Sequence, residues 1–226
     1  MCPAQKATLE GGAYDLHVHS VFSGDSLLRP ETIVKVAMKR GLEGIAVTDH
    51  ETVEGGLRAR RLAAKGLSII VGYETRIQKR DIICLFVEEI TRASDMEELH
   101  ERTKEKGGIT ILAHPYRMFA PTIGIEKVEV DAIEVFNSRL SLVRNRKGEE
   151  LARRLNKPRV AGSDAHVASE IGRAYTVLDG NCEPREAILL GLTRPFGSPS
   201  PLWVRPASLL SRTVAVTSRI FGREWP

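Results

Sequence analysis

Cysteine is scarce in this chain of 226 residues. Cys2, Cys84 and Cys182 are an odd number, far apart, and form no C-x-x-C pair. Neither a disulfide framework nor a cysteine-built zinc knuckle is expected, and a reducing compartment is. Long apolar runs are missing as well. None approaches the ~20 residues that span a bilayer, and residues 1–12 lack the apolar core of a signal peptide. The expectation is a cytoplasmic protein with no transmembrane segment. No Walker-type G-x-x-x-x-G-K-[ST] occurs, which argues against ATP-driven chemistry.

What is present is enough for a core. Hydrophobic residues make up 42% of the chain, and the length suits one domain or a compact domain with a tail. A net charge of +4 and a pI near 9.0 fit an anionic substrate, and also nucleic acid. The excess is uneven: Arg139, Arg144, Arg146, Lys147, Arg153, Arg154, Lys157 and Arg159 face only Glu149 and Glu150 in that stretch. A solvated helix face, and a phosphate-facing rim or nucleic-acid surface, are both open readings.

Apolar strands alternate with helical segments. Strands are expected near residues 13–18, 44–48, 67–73, 82–87, 109–113, 132–136, 159–162 and 174–178. Helices are expected from Pro30 to Gly41, over 54–65, from a Ser94/Glu97 capping box to Gly107, over 142–156 and over 184–190. This pattern implies a barrel-like α/β fold. The connection from Glu74 to Asp81 is too short for a crossover helix, so it should be a hairpin that brings Asp81 back beside Glu74. Residues 195–206, rich in proline and serine, read as an irregular segment. A division into a domain over 1–194 and a tail over 195–226 follows. Residues 207–221 carry Leu209, Leu210, Val214, Ile220 and Phe221 with Arg212 and Arg219 between. They suit an amphipathic helix docked on the barrel, a partner or an anionic membrane surface.

Five of the six histidines fall in short motifs spread along the chain: D-L-H-V-H-S (residues 15–20), T-D-H (48–50), A-H-P-Y-R (113–117) and G-S-D-A-H (162–166). G-Y-E (72–74) adds a carboxylate. Each follows an apolar run. In a barrel of parallel strands the carboxyl ends share one face, so motifs about 150 residues apart can converge. Histidine is the commonest side-chain metal ligand, and the pattern points to a polynuclear metal site. His17 and His19, two apart on a strand, face the same way. A buried Glu74 without a cation would be costly. Asp49 reads either as a partner orienting His50 or as a helix cap. Asp25 in F-S-G-D-S reads as a ligand or a turn residue, and Asp81 as a ligand or an exposed hairpin residue. Arg117 is a candidate for holding a phosphate oxygen, with Asn137 and Arg139 as weaker substrate contacts. His100, alone on a helix, reads as a solvent or packing residue.

These motifs, in this order, resemble those of the PHP (polymerase and histidinol phosphatase) family, from Asp15 to about Thr176. The resemblance implies a distorted, TIM-like (β/α)7 barrel that hydrolyses phosphate esters with two or three divalent ions such as manganese, iron or zinc. It implies that His17, His19, Glu74 and Asp164 hold one ion. Glu74 would bridge to a second, with His114 and Asp81. Asp25, His50 and His166 would hold a third. At the Asp25 and Asp81 positions relatives often carry histidine. Carboxylate there suits manganese or iron better than zinc. Of these, His17, His19, Glu74, His114, Asp164 and His166 are the expected catalytic group.

The expected activity is hydrolysis of a small-molecule phosphate monoester by metal-activated water. No serine or cysteine nucleophile is needed. A phosphodiesterase or exonuclease acting on nucleotides or nucleic acid is the alternative, disfavoured because the barrel leaves little sequence for a nucleic-acid module. A non-catalytic subunit of RNA processing is a third reading, and the filled ligand positions argue against it. The oligomeric state is not legible.

Overall fold

The computed structural model describes residues 11–63 and 65–201. Its elements in chain order are β1 (Gly11–Val18), α1 (Pro30–Lys39), β2 (Gly44–His50), α2 (Glu54–Leu62), β3 (Ser68–Ile77), β4 (Arg80–Leu85), α3 (Met96–Glu105), β5 (Ile109–Leu112), β6 (Ala132–Asn137), α4 (Leu142–Arg154), β7 (Arg159–Gly162), β8 (Ala174–Asp179), α5 (Pro184–Leu189) and β9 (Thr193–Gly197). Among the described residues the strands form one sheet in the order β7-β6-β5-β4-β3-β2-β1-β8-β9.

The sheet curls until its ends nearly meet. Val18 bridges to Ala165, just past β7. The Ala161 N–H of β7 donates to Thr176 Oγ1 of β8 at 2.8 Å, and Thr193 Oγ1 of β9 donates to the Arg159 carbonyl at 2.7 Å. The result is a mixed α/β fold around a nearly closed, barrel-like sheet. It has nine described strands, where the resemblance implies seven. The pairings make β1, β2, β3, β5, β6, β7 and β9 run one way, with β4 and β8 reversed. β2 is buried along nearly its whole length. That is why G-I-A-V-T reads as a continuous apolar run rather than an alternation.

The β3–β4 hairpin turns on Gln78 and Lys79 alone, with φ of 49° and 63°. Two consecutive positive φ values are the geometry of the tightest hairpin turns. The turn pairs Arg76 with Asp81 across the strands, so Asp81 reaches the rim formed by the other strands' carboxyl ends, as the short connection predicts. β3 runs three residues past Glu74, so Glu74 lies within the strand and not at its end.

Other boundaries move for local reasons. The cap of α3 is Asp95, which accepts from the Glu98 N–H at 2.9 Å. Glu98 reaches back to the Ser94 N–H at 2.6 Å, one residue later than the Ser94/Glu97 pattern suggests. β9 occupies residues 193–197, so Pro195 belongs to a strand and not to an irregular segment. It lies at the end of the sheet, where a missing N–H is tolerated. Cys84 is buried with a free thiol, and Cys182 is disulfide-bonded. No described helix is long and apolar enough to cross a membrane. The amphipathic pattern of residues 207–221 lies outside the described residues.

Candidate metal centre

The histidine motifs converge at the rim where β1, β2, β3, β5, β6 and β7 end. His17 and His19 place their Nε2 atoms 3.0 Å apart. Glu74 is the hub. Its Oε2 lies 3.6 Å from His17 Nε2, 3.4 Å from His19 Nε2 and 3.1 Å from His50 Nδ1, and its Oε1 lies 3.0 Å from His114 Nε2. Asp164 Oδ1 stands 3.9 Å from His17 Nε2 and 3.5 Å from His19 Nε2. Further out, Asp25 Oδ2 sits between His50 Nε2 at 3.3 Å and His166 Nε2 at 3.2 Å. The His19 ring centroid is 4.5 Å from those of both His50 and His166, so His19 joins the inner and outer groups.

Three sets of donors come close enough to share an ion each: His17, His19 and Asp164; His17, Glu74 and His114; and His19, Asp25, His50 and His166. Nitrogen and oxygen donors without thiolate suit manganese, iron or zinc. Imidazole lone pairs and carboxylates aimed at a common point are costly to bury unless a cation joins them. The residues therefore fit divalent ions. Asp81 stands outside these sets. Arg76 grips it with two bonds of 2.5 and 2.8 Å, and it lies 3.7 Å from His114 Nδ1.

Two ligand candidates adopt backbone conformations unusual for their residue types. His114 has φ of 28° and Asp164 φ of 55°. Such strain persists only where neighbours fix it. Here the His114 N–H donates to Glu134 Oε2 at 2.8 Å, and the Asp164 N–H to the His17 carbonyl at 2.8 Å. Gly162 precedes this turn because a Cβ there would collide with the His17 Cβ and backbone.

Electrostatics follow from burial and pairing. Burial works against a charged His17, but Glu134, Asp164 and Glu74 together hold its pKa well above the usual histidine value. For His114, burial is likewise outweighed by Glu74, and its pKa is raised. Burial, then His166 and His50, push His19 well below. Burial opposes ionisation of Glu74 and Asp164, yet the imidazoles, with Arg139 beside Asp164, keep both below the carboxylate range. His50 overcomes its partial burial through Asp25 and Glu74 and rises to about 9.

Several supporting residues escape a motif reading. Glu134, buried in the middle of β6, accepts from His17 Nδ1 at 2.9 Å and from Asn137 Nδ2 at 3.0 Å. A proton fixed on Nδ1 leaves Nε2 free to ligate. The signal was a lone carboxylate inside an apolar strand, the same argument that singles out Glu74. Asp15 is fully buried and accepts from the Ser163 N–H and hydroxyl and the Gly172 N–H, tying β1 to the last motif. Burial raises its pKa to about 6 against those bonds. Asp49 neither orients His50 nor caps α2. It accepts from the Ser20 hydroxyl at 2.6 Å and so fixes the exit from β1.

Of the expected substrate contacts, Asn137 turns inward, to Glu134 and to Asp164 at 3.3 Å. Arg139 also turns inward, with Nη1 2.7 Å from His166 Nδ1 and Nε 3.4 Å from Glu170. Only Arg117 lines the open cavity of about 620 Å³ that adjoins Asp25 and His50. His100 packs away from the site, against Thr110 Oγ1 at 2.7 Å.

The PHP domain family matches residues 15–149, and the PHP-associated family residues 143–194. The chain belongs to the PHP domain family. An uncharacterized protein of Methanocaldococcus jannaschii is 33% identical over 172 residues, covering 71% of this chain and 68% of that protein. A probable phosphatase of Shewanella oneidensis is 27% identical over 219 residues, 77% of this chain and 86% of that one. Among solved structures, a two-domain protein from Bacteroides vulgatus, described as containing a predicted PHP-like metal-dependent phosphoesterase, superposes with a TM-score of 0.69 at 20% identity. It covers 86% of this chain and 68% of its own. PsfC from Pseudomonas syringae gives 0.67 at 18% identity, over 90% of this chain and 98% of its own. These structural likenesses concern the fold.

Proposed function

We propose that this PHP protein is a metal-dependent phosphoesterase that hydrolyses a small-molecule phosphate monoester. The observation that carries the reading is Glu74, one carboxylate reaching four imidazoles at 3.0–3.6 Å. In this reading His17, His19, Glu74 and Asp164 hold one ion, Glu74 and His114 a second, and Asp25, His50 and His166 a third. Divalent ions bound there would polarise phosphate oxygens and lower the pKa of a water molecule to supply the nucleophile.

The remaining work falls to the protein. Glu134 holds the His17 proton on Nδ1, away from the site. Asn137 steadies Glu134 and Asp164 together. Arg117, exposed at the cavity wall 3.7 Å from Asp81, presents a guanidinium suited to a non-transferred phosphate oxygen. The basic stretch on α4 gives the nucleic-acid reading less support than its sequence suggests. Arg153 and Arg159 both pair with Glu149, at 3.0 and 2.5 Å.

The test is phosphate release from sugar phosphates, histidinol phosphate, mononucleotides, nucleoside bisphosphates and short oligonucleotides, with manganese, zinc or iron supplied separately. Release from at least one monoester, dependent on metal, is expected. Cleavage of oligonucleotides alone would replace this reading with a phosphodiesterase, and no release with any metal would remove it.

A further inference from the structure

The segment after β5 leaves His114 and crosses the rim beside the cavity. It is built in two successive turns, with the Arg117 N–H donating to the His114 carbonyl at 2.9 Å and the Ala120 N–H to the Arg117 carbonyl at 3.0 Å. β4 anchors its far end. Arg80, itself 9% exposed, donates to the Pro121 carbonyl and, at 2.7 Å, to the Ile123 carbonyl. A segment held at both ends nonetheless presents Phe119 to solvent at 94% exposure, with φ of 68°. Met118 beside it is 61% exposed, and both line the cavity next to Arg117.

An aromatic residue in left-handed backbone, on an anchored loop, with its ring in water, is unfavourable in the free protein. Among the described residues no core cluster includes it. The same loop carries His114 and Arg117, so whatever lies against Arg117 lies within reach of the Phe119 ring. A flat ring stacked on Phe119 would remove its exposed face from water and match its quadrupole.

We propose that Phe119 is a specificity-determining residue: it forms a stacking platform for a planar ring in the alcohol part of the phosphoester, with Arg117 and Lys79 flanking it. The substrate class is then a phosphate monoester bearing a nucleobase or comparable ring, not an open-chain or simple sugar phosphate. This inference rests on the phosphoesterase reading, and Phe119 lies outside the residues that hold ions.

Adenosine 5′-monophosphate and ribose 5-phosphate share the reacting ester and differ in the base. With the manganese-loaded full chain, kcat/KM should favour the nucleotide on the order of tenfold, the size of one stacked base. Phe119→Ala should erase that preference through KM, leave kcat unchanged and spare ribose 5-phosphate. Phe119→Trp should keep it. Hydrolysis of both esters at equal efficiency, or a preference that survives Phe119→Ala, would overturn the platform and leave the phosphoesterase standing. No hydrolysis of any ester would instead remove the phosphoesterase. A second readout needs no turnover: adenosine titrated calorimetrically onto the metal-free protein should bind about tenfold more weakly to Phe119→Ala, and equal binding overturns the inference whatever the activity.

Discussion

The inner and outer halves of the candidate metal centre are built differently. The inner group, His17, His19, Glu74, His114 and Asp164, is buried, and each member is tied to an element of the sheet. Glu134, Asn137 and the strained turns at His114 and Asp164 fix its geometry from behind. In the outer group, Asp25 and His50 open to the cavity, whereas His166 is buried. The His50 side chain is 38% exposed and that of Asp25 16%, and Asp25 comes from a loop. The fold thus prepays the ordering of the inner ligands, while the outer ligands are ordered in part by whatever binds there. Removing an inner group should cost far more than removing an outer one.

The largest effect is expected in the inner group. His17→Ala or Asp164→Ala should lower turnover by about 10³-fold or more, since each removes charge stabilisation at the reacting group. Circular dichroism should show the fold retained. Unchanged turnover in either variant would sink the inner site. Next comes Glu134→Gln, which touches no ion. It should weaken binding of the inner ions about 10–100-fold, the usual loss when the partner of a ligating histidine is removed, read as manganese affinity by calorimetry. An unaltered affinity would make Glu134 a packing residue. His50→Ala should do less: one ion fewer per chain by metal analysis, and turnover lower on the order of tenfold, because water can replace an exposed ligand. A loss as deep as that of His17→Ala would erase the distinction between the two halves.

The sequence exposes these halves unequally, and the reason is physical. A histidine at the end of an apolar strand is conspicuous, so His17, His19, His50, His114 and His166 were legible one by one. The parallel-strand geometry then predicts that they meet. The hairpin that returns Asp81 to the rim was legible from a connection too short for a helix. Its partner was not, because Arg76 opposes Asp81 only once the register is known. The partners of Glu134 and Asp15 were hidden for a related reason. Glu134 reaches His17, and Asp15 reaches Ser163, across more than 100 residues of chain, and a single carboxylate in a strand carries no periodicity. β9 was hidden by Pro195, whose missing N–H excludes central strands but not an edge.

The smallest effect separates the halves by pH. In the metal-free protein the raised pKa of His17, His114 and His50 means that folding favours their protonated forms. The stability this supplies is fully present below the ordinary histidine value near 6.5 and is lost as pH rises through the folded values, about 9 for His50. His19 acts in the opposite sense. Its depressed pKa gives stability that is present above pH 6.5 and lost below it. The Tm of the metal-free protein should therefore fall by a few degrees between pH 6.5 and 9. Saturating manganese should reverse the slope, because ligation requires deprotonated imidazoles. His50→Ala should remove only the part of the metal-free decline that extends to pH 9, while Glu134→Gln should flatten the part contributed by His17. A Tm that is flat from pH 6.5 to 9 without metal would mean that the imidazoles and carboxylates do not meet as closely as these distances require.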